Sequence, residues 1–243
     1  MNLDIEAVLT YPTNGPDSVT TLLLGGVFTA LSIFILPIFL VMGYLVRALR
    51  AGMAGADEPP VFDDWGTLFK EGFVAAVITF VYQLIPLAVL AAILSVSVIP
   101  LVTGSEAAIG IGLLGILGGF LLWMVLSFVF SFLSFAGVAN YAHVGEISAG
   151  FDLGRIIELL TAKPFLLGIV YVIVLNFVYF AIISFLTAIP LIGLLFSLVF
   201  LFVGPFISFY LLVITGWLIG NGFDETIGDT DDDDPMAVSS PTI

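Results

Sequence analysis

Cysteine is absent from the 243 residues, histidine occurs once, and 5 lysines and arginines stand against 19 aspartates and glutamates. Without cysteine there is no disulfide, no thiolate nucleophile and no cysteine-based metal site. The single histidine, His143, leaves no histidine cluster. A net charge of −14 repels phosphate backbones and excludes nucleic acid as a partner. Charged residues make up 10% of the chain, under half of the about 25% usual in a soluble domain. That shortage excludes an ordinary soluble fold. H-E-x-x-H, G-x-S-x-G and phosphate-loop patterns are missing as well. The expectation is a protein with no cofactor, no metal and no enzymatic constellation.

What is there is hydrocarbon. Hydrophobic residues are 60% of the chain and phenylalanine alone contributes 23. No Asp, Glu, Lys or Arg occurs in residues 18–46, 72–105, 107–145 or 164–223. A spanning helix needs about 20 apolar residues, so the first three stretches hold one segment each and the fourth holds two. Five segments follow, at about 21–46, 73–101, 108–141, 165–187 and 192–220. They lack the alternation of barrel strands, and backbone groups cannot go unpaired in lipid, so the fold class is an all-α integral membrane protein. Residues 1–20 form a polar N-terminal segment without a secretory signal pattern, residues 21–222 the transmembrane domain, and residues 223–243 an acidic tail expected to be disordered. Pro37 divides the first segment, which is read either as one span or as a re-entrant hairpin. Pro86 and Pro205 are expected to kink their helices.

Orientation follows from the basic residues. Arg47, Arg50 and Lys70 lie between segments one and two, Arg155 and Lys163 between segments three and four. Both loops are therefore expected in the cytoplasm of a multi-pass cell-membrane protein. Five spans put the N-terminus outside; a re-entrant first segment puts it inside. An acidic water-facing surface on so apolar a body suits a salt-rich cytoplasm and points to a salt-in halophile.

The two basic loops resemble each other. In the first, Phe62, Trp65, Leu68, Phe69 and Phe73 fall on one side of a helical wheel, with Asp63, Asp64, Thr67, Lys70 and Glu71 opposite. In the second, Leu153, Ile156, Ile157 and Leu160 share a face against Arg155 and Glu158. Asp63 or Asp64 caps the first helix and Asp152 the second. Each reads as an amphipathic helix at the cytoplasmic interface, running directly into a span.

The stretch Gly43-Tyr44-Leu45-Val46-Arg47-Ala48-Leu49-Arg50, then Glu58-Pro59-Pro60-x-Phe62-Asp63-Asp64-Trp65-Gly66, with Leu68-Phe69-x-x-Gly72, resembles the core signature of the multi-pass family catalogued as domain of unknown function 4013. The resemblance implies an integral membrane protein without an assigned activity, of a kind common in archaea. The repeated plan also looks distantly like the membrane module of some glycerophosphodiester phosphodiesterases, in architecture only.

Candidate lipid- or partner-contact residues are Arg47, Arg50, Asp63, Asp64, Trp65 and Asp152. Arg47 and Arg50 either bind a lipid phosphate, pair with Asp63 and Asp64, or simply anchor the topology. Asp63-Asp64-Trp65-Gly66 is either a docking element or a helix cap beside an interfacial Trp. His143 and Glu146 read as a surface helix end. Gln83, Asn140 and Asn176 serve either a transport path or bonds between helices. Gly115-x-x-x-Gly119 and Gly216-x-x-x-Gly220 read as helix packing. Two functions remain: a non-enzymatic scaffold or accessory protein contacting membrane lipids and a membrane or cytoplasmic partner, or a permease or channel for neutral or lipid-like solutes.

Overall fold

The computed structural model describes residues 5–102 and 105–232, with side chains described through residue 227. Its described residues are helical almost throughout. Helix α1 (Ile5–Thr10) leads through a 3₁₀ turn (Tyr11–Thr13) to α2 (Ser18–Ala30) and a second 3₁₀ turn (Leu31–Phe34). Then come α3 (Leu36–Met53), α4 (Trp65–Val102), α5 (Glu106–Val144), a 3₁₀ helix (Ile147–Phe151), α6 (Leu153–Thr161), α7 (Lys163–Thr187) and α8 (Ile192–Asp232). Five helices are long and apolar enough to cross a membrane: α3, α4, α5, α7 and α8. The N-terminal stretches Ile5–Thr13 and Ser18–Phe34 form a further pair, bent by 81°.

Helix ends follow local chemistry. Ser105 caps α5 by accepting the amide of Ala108 at 3.2 Å, and Gly145 closes it at φ 85°, the conformation glycine adopts freely. Pro164 sits in the first turn of α7, where its missing N–H costs nothing. The first amphipathic stretch is continuous with its span, since Trp65–Val102 is one helix of 38 residues. The second remains a separate helix, α6, with Ile156 and Leu159 buried.

The first apolar segment is not one straight span. The chain breaks at Ile35, whose φ is 64°, and Pro37 occupies the opening turn of α3. Gly25 and Gly26 of α2 lie against Phe209 and Phe206 of α8, while Tyr11 stacks on Trp217. On α3, Tyr44 meets Phe209 and Gly52 meets Gly220. So α2 runs antiparallel to α8, α3 runs parallel to it, and the two make a hairpin with an apolar apex. Ile33 at that apex is 83% exposed. This is the hairpin arrangement that Pro37 allowed. It also places the described N-terminal residues beside the first basic loop: Asn14 bonds the carbonyl of Asp57 at 3.0 Å. The described N-terminal residues and the first basic loop therefore lie at the same end of the helices, where one straight span through residues 21–46 would have separated them.

The boundary expected at residue 222 is corrected as well. Helix α8 runs on to Asp232, and Phe223 and Thr226 are buried. Ile219, Phe223, Thr226 and Ile227 recur at helical spacing, so an apolar stripe continues beneath the acidic composition. Phe223 packs on His143, Phe165 and the Arg155 guanidinium. The rest of the tail, residues 233–243, lies outside the described residues.

Burial is concentrated at the basic-loop end. There α3, the first half of α4, the last half of α5, α6 and the last half of α8 enclose one apolar core. A second cluster joins Tyr11, Tyr44, Phe62 and Phe209. Beyond this head, α4–α5 and α7–α8 continue as two helical hairpins studded with exposed Leu, Val, Ile and Phe. In lipid such surface is at home, since acyl chains are as apolar as leucine.

Candidate functional site at the α3–α4 junction

The site is built from a problem of backbone chemistry. Residues 56–61 lie outside any helix and carry Pro59-Pro60, so their carbonyls have no helical partners, and such groups must be paired when buried. Side chains from three directions do this. Trp217 Nε1 of α8 donates to Ala56 at 3.1 Å, Asn14 to Asp57, and the Tyr11 hydroxyl to Glu58 at 3.2 Å. On α3, the Tyr44 hydroxyl donates to Pro60 at 2.8 Å and Arg47 Nη1 to Val61 at 3.2 Å. The loop is thus held along α3 by the N-terminal region, α3 and α8 together.

Arg47 also forms an ion pair with Asp63 at 2.6 Å, and its Nη2 donates to the Asp64 carbonyl at 3.4 Å. Asp64 has φ 43°, which a short polar side chain tolerates. Its carboxylate accepts the Thr67 amide at 3.4 Å and caps α4. Hydrogen bonds from the Thr67 side chain, then its backbone, hold the Asp64 carboxyl below the usual carboxylate range, assisted by the Arg47 charge. Phe62 is buried between Phe28, Tyr44 and Trp65, with ring centroids 5.2 to 5.6 Å apart. Trp65 itself is half exposed beside Phe28.

Arg50 ties three helices. Its Nε donates to the Ala142 carbonyl of α5 at 2.8 Å, and its Nη1 pairs with Glu71 of α4. The Glu71 side chain is 12% exposed, and its Oε2 is buried without a hydrogen-bond partner. The structure therefore brings Arg47, Arg50, Asp63, Asp64 and Trp65 to one junction. Asp152 sits apart at the start of α6, where it accepts the Arg155 amide at 3.2 Å. Of the readings open for the two arginines, ion pairing within the chain is what the geometry displays for Arg47 with Asp63; Arg50 takes Glu71 rather than Asp64. Sequence reasoning singled out neither Tyr11, Tyr44, Trp217 nor Glu71 for this junction. The signal for the first three was an aromatic donor for a Pro-Pro loop that must be paired; the partner lies 47 residues from Tyr11 and 161 from Trp217, but only 16 from Tyr44.

The second loop is fastened by the same logic. Asn140 donates to the Ala149 carbonyl at 2.9 Å and the Tyr82 hydroxyl to Gly150 at 3.0 Å. Asn140 is thus a packing amide. Asn176 donates to the Val172 carbonyl within its own helix at 2.9 Å. Among the described residues no group of three or more His, Asp or Glu side chains is placed to hold a metal ion. The arrangement binds helices to loops.

Fold and junction together define a helical membrane protein with several candidate spans, closed at one end by arginine-pinned loops. A family model described as "Protein of unknown function (DUF4013)" matches residues 28–191. That covers well over half of the chain, from the end of α2 to the start of α8, and the protein belongs to this family. The resemblance carried by residues 43–72 is borne out. No curated protein and no solved structure matches the chain.

Proposed function

We propose that the protein is a non-enzymatic scaffold or accessory protein of the cell membrane, with both basic loops in the cytoplasm. The observation that carries this reading is the bare outer surface of the two hairpins. Phe128 on α5 and Phe177, Phe180 and Phe185 on α7 are exposed, while the polar groups of the head are spent on holding loops in place. Such a molecule offers neighbours an apolar lateral face and a rigid cytoplasmic head. The strongly acidic composition supports a high-salt cytoplasm as its setting.

Photo-reactive residues at Phe128 and Phe180, in cells at native expression, test the reading. A discrete protein adduct from these faces, together with vesicles that remain tight to glycerol and other neutral solutes, is expected. Lipid-only adducts combined with protein-dependent solute flux would replace the accessory role with that of a permease. Single cysteines at Ala56 and Ala149 test the orientation, because the native chain has none. Both should label from the cytoplasmic side.

A further inference from the structure

Beneath the head, two cavities adjoin across α5. The first, of about 190 Å³, lies between α3, α4 and α5 and is lined by Met42, Leu45, Thr79, Gln83, Ser131 and Phe135 among others. The second, of about 170 Å³, opens between α5, α7 and α8, with Phe128, Ile169, Val172 and Ile219 in its wall. Ser131 and Phe135 line both. Each is larger than the roughly 150 Å³ of an apolar cavity that stays dry and accepts a small hydrocarbon. No charged side chain lines either one.

The polar features gather at one point. Gln83 Nε2 reaches the Ser127 carbonyl at 3.5 Å and Ser131 Oγ at 3.4 Å, both long for hydrogen bonds. Its amide oxygen takes no hydrogen bond from the described residues, while Ser131 Oγ donates to the Ser127 carbonyl at 2.6 Å. One turn away, Ser127 Oγ is buried with no partner but lies outside the lining of both cavities. An amide with an unused acceptor, on a side chain that lines an apolar space between spans, matches a ligand that is mostly hydrocarbon and carries one hydroxyl. A phosphate or carboxylate headgroup would meet no cation there and would lose its hydration without compensation.

We propose that the paired cavities bind a neutral, hydroxyl-bearing lipid, its hydroxyl on Gln83 and Ser131 and its chain passing Phe135 toward α7. The proposed chain path leads past Ser131 and Phe135, the residues that line both cavities, and the bilayer beside α7 is the source from which such a molecule would enter. This site stands independently of the accessory role.

The experiment uses the full chain in lipid nanodiscs with Thr79→Cys, labelled by a membrane-permeant maleimide. 1-Dodecanol should slow labelling several-fold and saturably. Dodecane should protect less, and dodecyl phosphate not at all. Gln83→Leu should raise the half-saturating dodecanol concentration about fivefold, the value of one neutral hydrogen bond, and leave dodecane unchanged. A cysteine at the lipid-facing Leu84 should be indifferent to all three. Dioctanoylglycerol and farnesol, compared in the same assay, tell a glycerolipid from a prenol. As a second readout, dodecanol should raise the unfolding temperature of the wild-type protein, and Ser131→Phe, which fills the shared wall, should abolish that rise. Equal protection by dodecane and dodecanol, no effect of Gln83→Leu, or no protection by dodecanol would each overturn the proposal.

Discussion

Replacing Gly72 by alanine tests whether the α3–α4 contact is as close as described. A Cβ on Gly72 would lie 1.6 Å from the Phe39 carbonyl oxygen and 2.5 Å from the Gly43 nitrogen. A Cβ on Gly43 would lie 1.9 Å from the Leu68 oxygen. Backbone meets backbone here, so no flexible side chain can yield. Ordinary contact begins near 3.4 Å, so the helices must part by on the order of 1.5 Å, and a gap of about 1 Å already forfeits up to half of each dispersion contact. Overpacking of this kind costs about 1–3 kcal/mol. The same movement strains the Arg50–Glu71 pair across the helices, a charge-assisted bond worth about 1.5–3 kcal/mol and reduced here because Arg50 is 38% exposed. The sum is about 3 kcal/mol of destabilisation. Gly66, in the first turn of the same helix, is the control: only Asp64 Oδ1 comes near its Cβ, at 4.0 Å. Gly66→Ala should be neutral or stabilise by up to about 1 kcal/mol. The assay is reversible unfolding in mixed micelles, titrating a denaturing detergent and following helicity. If Gly72→Ala unfolds within about 1 kcal/mol of Gly66→Ala, the backbones are not in contact and the junction described above is wrong.

Phe223→Ala should cost about 3–5 kcal/mol, as for other buried phenylalanines; a chain ending at Gly222 should lose at least as much stability and melt at a lower temperature, instead of showing the unchanged melt that a disordered tail predicts. Arg50→Met and Glu71→Met should each destabilise by about 2 kcal/mol or more, because each leaves a charge without its partner. The double variant should lose less than the sum of the two, read in the same unfolding assay; strict additivity would mean that the pair is not coupled. Asp64 supplies a pH dependence. Its folded pKa is depressed, so its contribution is complete above the ordinary carboxylate value of about 4 and disappears as pH falls through the depressed value. Asp64→Asn should therefore flatten the acid limb of the stability profile, and identical limbs in both proteins would argue against the Thr67 cap.

The spans were legible because lipid imposes a coarse rule: about 20 apolar residues without charge. Four of the five long helices lie where the charge-free stretches put them, and both Gly-x-x-x-Gly motifs pack as read. Gly216 and Gly220 meet Ala48 and Leu49 of α3, and Gly115 and Gly119 meet Ser97 and Ile93 of α4. The first segment was harder. A proline marks a break without choosing between a kink and a reversal, and the reversal is set by Phe206 and Phe209, some 170 residues away. The continuation of α8 was hidden by composition: Asp224, Glu225 and Asp229 suggest a solvated tail, yet Phe223 and Ile227 carry the buried stripe past them. At the junction, pairing of Arg47 with Asp63 was readable from proximity along the chain. Glu71 as the partner of Arg50 was not, because it depends on how closely two glycines let α3 and α4 approach.

The clasp between the chain's two ends has a consequence for biosynthesis. Trp217 donates to Ala56 across 161 residues of sequence, and Tyr210 to the Leu9 carbonyl across 201. Translation proceeds at about 5–20 residues per second, so the α2–α3 hairpin emerges some tens of seconds at most before α8 exists to receive it. During that interval the Ala56 carbonyl lacks Trp217, the Leu9 carbonyl lacks Tyr210, and the flat faces of Gly25 and Gly26 lack Phe209 and Phe206. A ribosome that stalls within α8 leaves the clasp unfinished, with its carbonyls and glycine faces still open.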